Sequence, residues 1–496
     1  MKLLGKYFLI LILPLYFATR LFNLLAIPIF TDEAIYTYWA QVALHDPANR
    51  FISLEDGKQP LFIWIAAVFQ KFINDPLIAT RLVSVFAGLG SLVGIYLLTK
   101  ILFDSKIAKL ASVLYIILPF TLLYDRMALY DSLLTMFGIF AVYFTIKMAQ
   151  EPRLDIAILN GFAIGLGMIT KSSANFFLYL LPFSLLLFDF KKNKLSPRLT
   201  KWFSLTLLTS IFSITIYNLL RLSPLFYLIN RKNQEFIRSI SEVLASPFLH
   251  FVGNFKTIII WLSTYNTPFL IIIALLVMIF GLLKRQKAII LLSLYIMAPF
   301  AAETLFNKVI YPRFALFYFP YIIILISYAT IKVSNVRKNY AKYIWIIFTA
   351  IILFLAVSSF RLLTDPTEAR IADSDRSQYL NSWPAGYGVR EVVEILKSQS
   401  KDKKVVVGTE GTFGLLPFAL NIYFYGNSNI QITGYWPVRD IPDQILESAK
   451  TQKTYFVFNE NQNLPDDPGN SHLKLIGKYQ KGSGESFMRL YEIIPK

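Results

Sequence analysis

Asp32 and Glu33 are adjacent carboxylates in the run Thr31-Asp32-Glu33, directly after a first apolar stretch. Two carboxylates at a membrane surface are costly unless solvated or paired. One reading is general-base chemistry, in which an aspartate facing a cleft takes the proton of an acceptor hydroxyl. The other is helix capping, because Thr31 or Asp32 precedes the helical pattern Ala34–Ala43. Local chemistry alone favours the cap for Asp32. Glu33 reads as a supporting carboxylate and, with Asp32, as a candidate catalytic residue.

Cations recur at the ends of apolar runs. They are Lys58 in Gly-Lys-Gln-Pro-Leu, Lys171 in Ile-Thr-Lys-Ser, Arg231 and Lys232 in the segment 221–257, and Arg313 in Tyr-Pro-Arg-Phe. Either each snorkels to lipid headgroups, or together they neutralise a phosphate leaving group. The turn 124–131 carries Asp125, Arg126 and Asp131. There Arg126 either pairs with Asp131 or contacts a carboxylate or phosphate. The loop 28–77 is acidic, with Asp32, Glu33, Asp46, Glu55, Asp56 and Asp75 against Arg50, Lys58 and Lys71. A carboxylate that activates a hydroxyl, beside cations that hold a departing phosphate, is what sugar transfer from a lipid phosphate requires.

The elements that must position these residues are membrane helices. Of 496 residues, 55% are hydrophobic and 16% charged, where soluble domains carry about 25% charged residues. No water-soluble core of this size buries so much apolar side chain, so the solvent for most of the chain is lipid. A cytosolic enzyme, a disordered chain and a disulfide scaffold are excluded, the last because there are no cysteines. The net charge of +18 belongs entirely to residues 1–363, since residues 364–496 sum to −1. The basic residues sit in short loops, at Lys2/Lys6, Lys100–Lys109, Lys191–Lys201, Lys284–Lys287 and Lys332–Lys342. That pattern orients a protein in a bilayer and does not suit nucleic acid.

Apolar runs begin near residues 8, 78, 107, 132, 156, 174, 202, 265, 288, 314 and 343. The expected fold is therefore a polytopic all-α membrane protein of about eleven transmembrane helices. Its N-terminus is cytoplasmic, and Tyr7–Ile27 is an uncleaved first helix. The transmembrane domain is 1–363, with a first outer loop at 28–77. The apolar stretch 60–73 is too short to span and reads as a juxtamembrane helix. The tail 364–496 alternates helical and strand patterns, with a helix at 389–399, strands near 405–407, 429–433, 454–458, 473–478 and 486–494, and a helix ending near 424. It reads as an extracytoplasmic α/β domain, with Asn461–Ser471 as a loop. Gly408-x-x-Gly411-x-x-Gly414 reads as a turn, Asp373-Ser-Asp375 as linker, and Glu303 as one half of an ion pair. The three histidines are scattered and form no metal cluster.

The order of these features resembles the GT-C superfamily of membrane glycosyltransferases. It looks most like the branch with protein O-mannosyltransferases and the lipid A aminoarabinose transferase (glycosyltransferase family 39-like). Asp32-Glu33 is similar to that family's first-loop acidic pair, and Lys58-Gln59-Pro60-Leu61 with Trp64 to its Lys-Pro-Pro-Leu segment, with Gln59 in place of the first proline. Arg126-x4-Asp131 matches a second-loop pattern. Thr170-Lys171, Arg313 with Pro320, and Trp383-Pro-Ala-Gly-Tyr-Gly388 resemble later family positions. The Trp-Trp-Asp motif of oligosaccharyltransferases is absent.

The resemblance implies inverting transfer of mannose or another hexose or pentose from a polyprenyl phosphate to a hydroxyl of a protein, envelope lipid or glycan. Asp32 would be the base. Lys58, Arg126, Lys171 and Arg313 would bind the donor phosphate, and Asp131 and Asp56 would support them. No cofactor is required, although a divalent metal is permitted. The absence of any Asn-x-Ser/Thr sequon and the abundance of Lys and Ile favour a prokaryotic plasma membrane. The rival readings are a lipid or sugar transporter or flippase without covalent chemistry, which should show two similar halves or interrupted midplane helices, neither visible in the sequence, and a receptor or assembly scaffold.

Overall fold

The computed structural model describes residues 7–191, 194–336, 338–401, 403–459 and 472–495. Lys2, Lys6, Lys192, Arg337 and the Asn461–Ser471 loop lie outside the described residues.

In lipid, each backbone N–H and C=O must be satisfied within its own segment, so apolar runs become helices. In chain order the membrane half contains α1 (Phe8–Leu21), α2 (Thr31–His45), α3 (Leu61–Gln70), α4 (Pro76–Leu102), α5 (Ser105–Ile117), α6 (Pro119–Tyr124), α7 (Tyr130–Gln150) and α8 (Leu154–Met168). A broken helical stretch, Ser172–Leu187, follows. Then come α9 (Leu195–Asn218), α10 (Leu228–Phe236), α11 (Phe251–Leu283), α12 (Lys287–Phe306), α13 (Phe319–Val336) and α14 (Ala341–Thr364).

Each expected apolar run is helical, but only seven helices among the described residues are long and apolar enough to cross a membrane. The runs at 8 and 156 form helices of 14 and 15 residues. The run at 107 breaks at Pro119, and the run at 174 is divided into short turns around Pro182, because proline removes the N–H that would continue the helix. By length and composition the described residues give seven candidate spans, and the runs at 8, 107, 156 and 174 form shorter or broken helices there. Helix α11 starts at Phe251, before the apolar run expected from about residue 265, and kinks at Thr267-Pro268. The span window of α13 is 72% buried and that of α14 28% buried, so α13 is central and α14 presents most of its surface to lipid.

The loop 28–77 folds into α2, two 3-10 turns and α3. The ten-residue α3 agrees with the short helix expected at 60–73. Beyond the membrane half lie α15 (Val389–Gln399), β1 (Val405–Glu410), α16 (Leu415–Phe424), β2 (Ile430–Tyr435), α17 (Asp443–Ala449), β3 (Lys453–Phe458), β4 (Leu473–Gln480) and β5 (Phe487–Ile493). The sheet order is β2-β1-β3-β5-β4, with β1 parallel to β2 and β3, and β5 antiparallel to β3 and β4. Side chains alternate across a strand. Accordingly Val405 and Val407 pack under α15 and α16, while Val406 packs on the α17 side. Helix α17 was not expected from the sequence. The sheet domain docks on the first loop, where Phe418 of α16 stacks on Tyr38 of α2 at 4.7 Å and Gln41 donates to the Ile422 carbonyl at 2.8 Å.

Candidate active site

The start of α2 is fixed from both halves of the chain. Thr31 N–H donates to the Pro384 carbonyl at 3.1 Å, and Phe30 pairs with Ala385. Neither Thr31 nor Asp32 caps the helix. Glu33 does, accepting from the Phe30 N–H at 3.0 Å. It also accepts from the Ala128 N–H at 2.6 Å and takes Arg81 on both oxygens, at 2.8 and 2.7 Å. Both side chains of that pair are fully buried. Glu33 is therefore corrected from candidate catalyst to clamp: all its lone pairs face protein, and it does not line the cavity into which its neighbour points.

Asp32 does line it. A half-enclosed cavity of about 460 Å³ is bounded by Asp32, Lys58, Asp131, Lys171, Lys232, Glu303 and Arg313, with aromatic walls from Tyr36, Phe314 and Phe317. Arg313 donates to Asp32 at 3.1 Å. The same guanidinium is held by Tyr379 Oη at 3.2 Å and Gln378 Oε1 at 3.3 Å. Lys58 donates to the Tyr36 hydroxyl at 3.0 Å and pairs with Asp56 at 3.2 Å. Asp56 also takes Lys232 at 2.8 Å, so it bridges two lysines. Lys171 pairs with Asp131 at 2.6 Å and lies over the Phe314 ring at 4.4 Å.

Local backbone chemistry places these groups. Gly57 has φ +65°, and a Cβ there would meet the Leu228 carbonyl at 2.5 Å. Only glycine permits both that left-handed turn and the close approach of α10. Next to it, Gln59 donates to Ser172 Oγ at 2.7 Å and the Leu61 N–H to the Ile169 carbonyl at 3.2 Å. These bonds join the Lys58 loop to the Lys171 loop.

The charges tune one another. Burial opposes ionisation of Asp32, but Lys58, Arg313, a hydrogen bond from Tyr36, and Lys171 outweigh it and hold its carboxyl below the usual range. Burial also works against the Lys58 ammonium, and Asp32 and Asp56 overcome it. The cavity is thus lined by coupled ion pairs, Arg313 with Asp32, Lys58 with Asp56 and Lys171 with Asp131.

Arg126 is a correction. It is 1% exposed and lies outside the cavity lining. Its guanidinium donates to the carbonyls of Thr19, Arg20, Phe22 and Asn23, at 2.6–3.0 Å. Those carbonyls lie in the last turn of α1 and just beyond it, where helix ends leave carbonyls without helical partners. Burial, with Arg81 and Arg20 nearby, pushes its pKa down to about 9. It does not pair with Asp131, which Lys171 occupies. Arg126→Ala is expected to destabilise the protein by about 1–3 kcal/mol with little change in lipid-phosphate affinity; thermal unfolding and a binding titration check both.

Four contributors had no strong sequence signal. Tyr36 sits one helical turn after Asp32, a spacing that places both on one face. Gln378 and Tyr379 come from the tail, far along the chain. Asp375, expected to be linker, is fully buried and accepts from the hydroxyls of Tyr124 and Tyr265. It ties the tail to the membrane helices beside Tyr379. Among the described residues, no group of three or more His, Asp or Glu converges as a metal-holding set.

Residues 57–218 match the family model described as dolichyl-phosphate-mannose-protein mannosyltransferase. No curated protein matches the chain by sequence. Among solved structures, ArnT from Cupriavidus metallidurans in the apo state aligns over 98% of this chain and 97% of its own, with TM-score 0.54 and 14% identity. ArnT bound to undecaprenyl phosphate aligns over the same shares, with TM-score 0.54 and 13% identity. The archaeal oligosaccharyltransferase AglB from Archaeoglobus fulgidus, in complex with an inhibitory peptide and a dolichol-phosphate, aligns over 92% of this chain and 70% of its own, with TM-score 0.53 and 11% identity. At these identities the likeness is one of fold. The chain shares its fold with ArnT and AglB, and its residues 57–218 match the model of the mannosyltransferase family.

Proposed function

We propose that this protein is an inverting membrane glycosyltransferase. It moves a sugar, mannose or another hexose or pentose, from a polyprenyl phosphate to a hydroxyl of a protein, envelope lipid or glycan. The observation that carries the reading is the convergence of Asp32 with Lys58, Lys171 and Arg313 on one cavity. The fold it shares with a protein that binds undecaprenyl phosphate supports it. The proposed setting is a prokaryotic plasma membrane, with the N-terminus cytoplasmic and the sheet domain outside.

The acceptor O–H gives its proton to the Asp32 carboxylate. The oxygen attacks the anomeric carbon from the side opposite the phosphate. The anomeric C–O bond breaks, its electron pair stays with the phosphate oxygen, and polyprenyl phosphate leaves. Lys58, Lys171 and Arg313 neutralise the charge that develops there. Asp131 and Asp56 hold Lys171 and Lys58 in place. A divalent ion beside Asp32 would meet this same cationic set.

The pairing has a consequence for pH. The folded-state pKa of Asp32 is depressed, so its ion pairs contribute stability above the usual carboxylate pKa of about 3.9 and lose it as pH falls through the folded value. Asp32 is therefore ionised throughout the neutral range but is a weak base while the cations face it. Donor phosphate competes for Lys58 and Arg313, which raises the basicity of Asp32 when it is needed. The acid limb of kcat/KM should lie below about pH 4, and Lys58→Gln should move it upward, as a pH–rate profile would read. The general test is mass spectrometry of envelope proteins and lipids from cells with and without the gene. A glycan lost from one class supports the reading, and identical envelopes contradict it.

A further inference from the structure

Glu303 lies in the last turn of α12, on a membrane-spanning helix. It is only 8% exposed, yet it lines the cavity together with Asn307 and Phe306 of the same helix end. A carboxyl at this depth is costly and marks function unless a cation neutralises it. The expected ion pair does not form. Among the described residues its carboxylate has one recorded partner, the Tyr318 hydroxyl, which donates to Oε2 at 2.9 Å. The nearby cations are engaged elsewhere, Lys171 with Asp131 at 2.6 Å and Arg313 with Asp32 at 3.1 Å.

The cavity therefore offers two kinds of contact. Lys58, Lys171 and Arg313 suit a phosphate. Glu303 repels one, but it accepts hydrogen bonds from hydroxyl groups, and the amide of Asn307 and the faces of Phe314 and Phe317 suit the remaining polar and C–H faces of a sugar ring. Resting on the glycosyl-transfer reading above, we propose that Glu303 is a specificity-determining residue for the transferred sugar. Its carboxyl accepts ring hydroxyls of an uncharged sugar, and Tyr318 is a positioning residue that fixes the carboxyl's orientation.

The test is equilibrium binding by the full-length protein in nanodiscs. The probes are undecaprenyl phosphate alone and undecaprenyl phosphate carrying mannose, glucose, galactose or arabinose. Wild type should bind at least one loaded lipid more tightly than the bare one. Glu303→Ala should weaken that loaded lipid by about ten- to a hundredfold and leave the bare lipid within about twofold. Glu303→Gln, which keeps one acceptor, and Tyr318→Phe, which keeps the volume, should each lose a smaller, severalfold part of the preference. If Glu303→Ala does not fold, these two decide. An unchanged sugar preference in the variants, or equal weakening of bare and loaded lipid, would overturn the proposal. So would a wild type that binds the bare lipid but is indifferent to its sugar, and that result leaves the glycosyl-transfer reading standing. A wild type that binds no undecaprenyl phosphate at all defeats that reading and this inference with it.

Discussion

Asp32→Asn is expected to fold, to bind polyprenyl phosphate at least as well as wild type, and to transfer sugar about a hundredfold to ten-thousandfold more slowly. Asparagine keeps the shape of the side chain and cannot take up a proton at neutral pH. It also frees Arg313, which donates to Asp32 at 3.1 Å, from its carboxylate partner. The cavity becomes more cationic, so affinity for a lipid phosphate holds or rises while kcat falls. That split is the informative part. A merely structural role for Asp32 would lower stability and binding together. The measurement is single-turnover transfer beside a lipid-phosphate titration on the same preparation.

One residue further along, the outcome reverses. Glu33→Ala is expected to cost about 3–5 kcal/mol of stability, because it leaves the fully buried Arg81 without its carboxylate. The Phe30 and Ala128 N–H groups lose their acceptor in the same change. Arg81 also donates to the carbonyls of Leu24, Ile27 and Pro28, so the whole entry to α2 is held through this pair. Thermal unfolding in detergent should show a large drop in Tm, or no folded protein. Asp32→Asn in the same assay should lose much less, because Arg313 keeps Tyr379 and Gln378 as partners when the carboxylate is gone. Two adjacent carboxylates then separate into one that matters for the reaction and one that matters for the fold.

These two residues also show how far sequence reading reaches. The membrane class follows from composition, because apolar side chains in this proportion need lipid around them. The sheet domain is legible for a similar local reason: Val405–Val407 alternates between two buried faces, and each strand carries its own apolar pattern. Lys58, Lys171 and Arg313 stand out because a charge at the end of an apolar run demands an explanation. What cannot be seen locally is which explanation holds. Arg126 has the same signature, yet its guanidinium closes the end of α1, a job defined by four carbonyls in and just after another helix. Glu33 looks like Asp32 until Arg81 is placed beside it. Tyr379 and Gln378 reach Arg313 from the tail, and no periodicity in residues 377–381 announces that contact. The runs at 107 and 174 are interrupted at Pro119 and Pro182, breaks that hydrophobicity alone does not register.

The central claim is that the cavity breaks a bond in the lipid donor, which a flippase would not do. The most direct measurement follows a radiolabelled sugar on polyprenyl phosphate after it is mixed with purified protein in nanodiscs and an extract of envelope acceptors. The account predicts that the label leaves the lipid and joins an acceptor hydroxyl with inverted anomeric configuration, and that it stays on the lipid with Asp32→Asn. Label that remains lipid-linked with active wild-type protein, or that arrives with its configuration retained, would contradict it.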